Sequence, residues 1–200
     1  MRYVIWIAAF LFLIPSAGMA QESPKVEVFG GYSFLRVEGG DSFNGWQASV
    51  AGNVNNWFGI VAEFSGHYDS RSQRLSFVRP GLPPVELRSD TDTSIHSFLF
   101  GPRFSYRKHE RVTPFVHGLI GLTRTQVDGT ATASDPVLDD LLTDFETSDT
   151  NFSAVFGGGV DINLSKRFAL RLVQADYQAI RNDSFTLDNA RVSTGLVIRW

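Results

Sequence analysis

The sequence contains no cysteine among its 200 residues. That excludes a disulfide framework and zinc–thiolate sites. It also lacks an excess of positive charge: 18 Lys and Arg stand against 21 Asp and Glu, for a net charge of −3. Nucleic-acid binding therefore has no electrostatic support. Beyond residue 20 no apolar run approaches the roughly 20 residues of a membrane-spanning helix, and no segment reads as a long amphipathic helix. A charged fraction of 20% and a mean hydropathy of −0.05 match a soluble protein. They also match a transmembrane barrel, in which half of each strand faces a polar lumen.

What is present is alternation. Eight segments carry apolar residues at every second position, bounded by turn-formers. They fall at about 25–37, 44–53, 57–68, 94–106, 112–127, 151–164, 168–180 and 191–200. In the third, Phe58, Ile60, Ala62, Phe64 and Tyr68 oppose Gly59, Glu63, Ser65 and His67. The fifth is less clean, with Val116, Ile120 and Leu122 opposing Phe115, His117 and Leu119. The seventh loses its phase around 174–177, which a β-bulge explains. Short links near 54–56, 107–111 and 165–167 alternate with longer ones near 38–43, 69–93, 128–150 and 181–190. That is the layout of short periplasmic turns and long external loops in an outer-membrane barrel.

The N-terminus points to export. Arg2 precedes a compact apolar run from Val4 to Ile14, and Gly18-Met19-Ala20 offers small residues to a signal peptidase. A signal peptide over 1–20 is expected, with the barrel domain over 21–200. The last strand ends on Trp200, with Val192, Thr194, Leu196, Ile198 and Trp200 on one face and Arg191, Ser193, Gly195, Val197 and Arg199 on the other. An apolar face toward lipid and an aromatic at the interface fit the same architecture.

These features, with Val26-Glu27-Val28-Phe29-Gly30-Gly31-Tyr32-Ser33, Thr113 to Gly118 and Phe156 to Asp161, resemble the small outer-membrane β-barrels: the OmpA-like transmembrane domain and OmpX-like barrels. The resemblance implies an all-β fold, an eight-stranded antiparallel up-and-down transmembrane barrel in the outer membrane. It also implies that the barrel-assembly machinery reads the terminal aromatic, making Trp200 the assembly signal. No cofactor is expected. The expected partners are outer-membrane lipid and that machinery, and a monomer is expected.

A barrel of eight strands is just wide enough for side chains to fill it, so inward charges must pair. Three pairs are expected. Glu27 and Arg199 become neighbours on closure, Asp161 and Arg171 flank the 165–167 turn symmetrically, and Glu63 and Arg103 lie on adjacent strands with open register. His117 falls beside Arg103. This set reads either as an ion-pair gate or as a plug, and the narrow lumen favours the plug.

The best catalytic arrangement available is the row Ser65, His67 and Asp69 near the outer rim. Alternating polar residues are the default for a lumen-facing strand, so a non-enzyme is expected. His96 and Ser97 face opposite ways, and His109 lies in a polar turn. The acidic stretch 128–149 lacks Lys and Arg, and its spacing does not match a calcium loop. Within it, Asp135 as N-cap and Pro136 predict a short helix with Leu138, Leu141, Leu142 and Phe145 as an apolar stripe. Segments on either side of 80–84 predict that the third and fourth strands continue as a hairpin above the membrane. The reading is a non-enzymatic outer-membrane barrel with envelope-structural and surface-interaction roles. A small ion or solute channel, or less readily a lipid-modifying enzyme, are the alternatives.

Overall fold

The computed structural model describes residues 24–77, 85–135, 139–140, 142–181 and 186–200. Eight strands follow in order: β1 (Val26–Arg36), β2 (Ser42–Asn53), β3 (Phe58–Phe77), β4 (Val85–Ser105), β5 (Val112–Ala133), β6 (Phe145–Asn163), β7 (Phe168–Arg181) and β8 (Thr186–Arg199). Each pairs antiparallel with the next, and β8 returns to β1, closing the barrel. Closure leaves no free edge along the body, which is the condition for strands to cross a bilayer. Among the described residues, no helix is long and apolar enough to cross a membrane.

The alternation works as the sequence implies. Outward positions such as Ile60, Phe64, Phe98, Phe100, Ile120, Phe156 and Leu196 are exposed, while Glu63, Arg103, Asp161 and Arg191 are buried inside. This inversion of a soluble protein's pattern is the mark of a surface solvated by lipid. Apolar residues also line part of the lumen. Ala51, Val61, Leu99, Leu119 and Val155 form a girdle at mid-height, and Leu35, Phe43 and Ile95 cluster toward the long-strand end.

The strands are unequal. β1, β2, β7 and β8 have 11, 12, 14 and 14 residues, whereas β3 to β6 have 20, 21, 22 and 19. The long strands therefore stand above the barrel as a four-stranded sheet. The hairpin expected above the membrane is present, with the ladder running from Phe58↔Phe104 to Phe77↔Val85. The stretch 128–150, expected as a loop, is instead largely strand: β5 and β6 stay paired to Gly129↔Phe145. Beyond the bilayer both sheet faces meet water, so the hydrophobic period vanishes while the backbone ladder persists.

Of the expected helix, the described residues show one bond, from the Asp139 amide to the Asp135 carbonyl at 2.9 Å. Pro136, Leu138 and Leu141 lie outside the described residues, as do the expected signal peptide at 1–20 and the tip at 80–84.

The expected bulge is in β7. Arg171 faces Gly195 and Gln174 faces Ser193, so Leu172 and Val173 together oppose Thr194. The ladder to β6 shifts at the same place, between Val160 and Asp161. Both Leu172 and Val173 point outward, at 54% and 39% exposure, which inverts the phase of everything that follows. Thr194 Oγ1 donates to the Arg171 carbonyl at 2.9 Å, satisfying a group at the kink.

Candidate functional site

Two charge clusters fill the lumen. The lower one, near the short-turn end, is built on Glu27 of β1 and Asp161 of β6. Glu27 lies 3.0 Å from Arg103, 3.0 Å from Arg107 and 3.2 Å from Arg199. Asp161 lies 2.9 Å from Arg171, 3.2 Å from Arg103 and 3.2 Å from Arg199. The Arg103 and Arg199 contacts to Glu27 are ion pairs without hydrogen-bond alignment: Glu27 Oε2 and Arg199 Nε have no hydrogen-bond partner. Four guanidiniums thus share two carboxylates. Aromatic faces moderate the excess, since Arg171 sits over Phe29 and Phe115 at 4.2 and 4.4 Å and Arg103 over Phe115 at 4.0 Å.

The upper cluster centres on Arg191 of β8, which is bonded to Glu63 and, at 2.7 Å, to Asp176. Asp176 also meets His117 Nε2 at 2.9 Å. Gln47 donates to Glu63 at 2.5 Å, and Ser193 in turn donates to Gln47. Gly157 stands opposite Asp176 in the ladder, and a β-carbon there would collide with the Asp176 carboxylate. Glycine at 157 makes room for the charge.

Gln174, at the end of the bulge, joins the two clusters. Its side-chain oxygen accepts from Arg171 at 2.7 Å, and its nitrogen donates to Asp176 at 2.7 Å and Glu63 at 3.4 Å. All these residues are at most half exposed, and most are fully buried. Paired groups on every side make a cross-braced plug. Removing one partner would strand a buried charge, at a cost of about 3–5 kcal/mol.

The sequence-derived pairs fare differently. Glu27↔Arg199 and Asp161↔Arg171 are direct register partners and also ion pairs. Glu63 and Arg103 do not meet. The β3–β4 register sets Glu63 against Leu99 and Arg103 against Gly59, so Glu63 takes Arg191 and Arg103 takes Glu27 and Asp161. His117 is the register partner of Arg103, but its ring bonds Asp176. The plug also uses Arg107, Asp176 and Gln174, which had no place in the expected set. Arg191 lay on the polar face of the last strand, and that signal pointed inward. Asp176 and Gln174 were hidden by the bulge.

The Ser65, His67, Asp69 row does not assemble. His67 Nε2 contacts Ser33 Oγ at 2.9 Å, Ser65 accepts from Arg191 at 3.3 Å, and Asp69 bonds Arg71 at 2.7 Å. Each member has a different partner, and nucleophile and base are not joined. Among the described residues no group of three or more His, Asp or Glu is arranged to hold a metal ion.

The protruding sheet has its own contacts. Arg71 bonds Asp41 and Asp69, both at 2.7 Å, and these hydrogen bonds raise its pKa above the ordinary guanidinium value. Asp90 faces Ser72 across the β3–β4 ladder and accepts from its hydroxyl. That bond and a second from Arg88 hold Asp90 below the ordinary carboxylate range. On the face continuous with the lumen, Leu75, Leu87, Ala131 and Leu142 line an open cleft of about 170 Å³. A second, of about 250 Å³, lies between Tyr68, Asp69, Asp92 and Asp128.

The sequence from 6 to 199 matches the model of the outer membrane protein beta-barrel domain. The chain belongs to that family. No curated protein matches it. Among solved structures it is similar to Ail, the attachment invasion locus protein of Yersinia pestis, at 20% identity and a TM-score of 0.51, covering 88% of this chain and 99% of Ail. Ail in complex with the heparin analogue sucrose octasulfate gives 18% identity and a TM-score of 0.55 over the same shares. Neisserial surface protein A gives 13% identity and a TM-score of 0.52, covering 88% and 96%. These likenesses are of fold.

In an outer-membrane β-barrel the short turns face the periplasm and the long strands the exterior. Two aromatic belts mark the bilayer edges accordingly. Trp57, Phe104, Tyr106, Phe168 and Trp200 ring the periplasmic end, with Trp57 stacked on Phe104 at 5.9 Å. Tyr32, Trp46, Tyr68 and Tyr177 ring the other. There each tyrosine hydroxyl finds a polar partner: Asn44 at 2.5 Å, His96 at 3.0 Å and Asp188 at 2.6 Å. A ring in lipid with a wet tip is how tyrosine sits at an interface.

Proposed function

We propose that this protein is a non-enzymatic integral outer-membrane barrel that braces the envelope and engages partners at the cell surface through its protruding sheet. One observation carries the reading. β2 reaches only to Asn44↔Tyr68 on β3, and β7 only to Arg181↔Phe152 on β6, so, among the described residues, 69–77 and 145–151 each present a strand edge without a barrel neighbour. An open strand edge with an apolar cleft beside it is suited to pairing with an extended segment of another protein. Ail, named for attachment and invasion, shares the fold and lends this reading a precedent without a shared sequence. The barrel acts as a monomer, cut after Ala20 and inserted by assembly machinery that reads Trp200.

The test replaces residues 70–92 by a two-residue turn and compares cells producing the two forms for adhesion to protein-coated surfaces. The shortened barrel should reach the outer membrane in equal amount and bind less. Equal binding at equal surface level rejects the reading. The channel alternative is disfavoured by the braced lumen, and planar-bilayer recording decides it: reproducible conductance from the folded protein would restore it.

A further inference from the structure

We infer that the periplasmic rim of this barrel is a binding surface for anionic phospholipid headgroups of the inner leaflet. The charges of the chain are segregated along the barrel axis. Lys25, Lys108, Arg111, Lys166 and Arg167 all lie at the short-turn end, and Glu110 is the only acidic residue in those turns. At the other end the stretch 128–149 holds seven carboxylates with no Lys or Arg.

The five cations are exposed, and among the described residues none forms a salt bridge. The lumen guanidiniums all have carboxylate partners, and on the outer sheet Arg71 and Arg88 bond Asp41, Asp69 and Asp90. Arg36, Arg74, Arg124 and Arg181 form no salt bridge among the described residues either, but they stand at the end of the barrel where carboxylates are in excess. The rim cations have Glu110 as the one carboxylate in their turns, so their counter-charge comes from outside the chain.

Their height identifies that something. They adjoin the belt of Trp57, Phe104, Tyr106, Phe168 and Trp200, with the Lys25 amide donating to the Trp200 carbonyl, Lys108 two residues beyond Tyr106 and Arg167 next to Phe168, and such a belt marks the headgroup layer. Lys108 Nζ lies 5.8 Å from the centre of the Tyr106 ring, and that ring is on the lipid-facing side of β4. The ammonium is thereby held over the outer wall, beside the phosphates, rather than over the lumen mouth. Arg107, the neighbouring cation, turns the other way and bonds Glu27 and the Asn56 carbonyl inside the barrel. The same turn thus supplies one cation to the plug and the next to the membrane. A basic residue at an anionic membrane surface is worth about fivefold in binding, and the effect fades with salt.

The barrel is folded into nanodiscs containing phosphatidylcholine and phosphatidylglycerol, and the lipids that it retains on release are counted by native mass spectrometry. Phosphatidylglycerol should be retained at least fivefold over its share at low salt, with the preference falling as salt rises. The rim variant K108Q/R111Q/K166Q/R167Q should lose the preference, and the outer-sheet variant R71Q/R74Q should keep it. A gel shift between unboiled and boiled samples establishes that each variant is folded. Equal retention of the two lipids by the unaltered barrel overturns the inference. So does a preference that survives in the rim variant, or one that disappears in the outer-sheet variant. Inorganic phosphate displacing the lipid at equal concentration would make the rim a free-phosphate site and also overturn it.

Discussion

Arg171 donates to the side-chain carbonyl of Gln174 at 2.7 Å across a bulge whose two intervening residues both face lipid. In a regular strand, residues three apart point to opposite faces. The extra residue puts these two on the same side, and it is what connects the lower charge cluster to the upper one.

Replacing Gln174 by Leu should therefore loosen the plug without unfolding the barrel. Arg171 loses an acceptor, while Asp176 and Glu63 each lose a donor. At about 1–3 kcal/mol for each buried group left unsatisfied, the urea midpoint of the compact band on unboiled gels should fall clearly. An unchanged midpoint would show that the amide carries no bracing.

Arg191→Met should be the more damaging change, because it removes the one guanidinium bonded to both Glu63 and Asp176. The expected cost is about 3–5 kcal/mol. Adding Glu63→Gln and Asp176→Asn to the same chain should recover most of it, since no buried charge is then unpaired. If the triple variant unfolds as easily as the single one, shape rather than charge governs this part of the lumen.

Deleting Val173 should be tolerated. It removes the extra residue while keeping Arg171, Gln174, Asp176 and Gln178 inward. Deleting Ala175 instead restores a regular strand only by turning Gln174 toward lipid and Val173 into the lumen, so assembly should be poorer. Comparable outer-membrane levels of the two deletions would contradict the proposed phase.

The Ser72–Asp90–Arg88 contacts on the protruding hairpin should be sensitive to acid. Asp90 has a folded-state pKa below its unfolded value, so its contribution is present above the ordinary carboxylate range and is lost as pH falls through the lowered value. Amide protection at 71–73, corrected for intrinsic exchange, should hold at neutral pH and drop in strong acid. Asp90→Asn should flatten that dependence.

Much of this was open to reading in the sequence. Eight alternating segments, the short and long links, and the phase of residues such as Glu27, Glu63, Asp161 and Arg199 follow from a period of two, which places side chains before any neighbour is known. Direct partners across the shortest connections were also accessible, because a tight turn sets the register. Arg171 and Asp161, close on either side of the 165–167 turn, are the example.

Partners across long connections were not. Glu63 and Arg103 sit on adjacent strands, but the register of a hairpin spanning 69–93 is set by ladder bonds along its whole length, and these sent the two residues to different heights. The meeting of Arg191 with Glu63 depends on closure, which brings β8 and β3 to opposite sides of one lumen. The inward turn of Gln174 and Asp176 depends on a bulge that the sequence marks only as a loss of phase. Alternation along one strand is a local property, and the sequence by itself determined it. Which inward charge meets which is a property of a closed, sheared cylinder, and only the tertiary structure decided it.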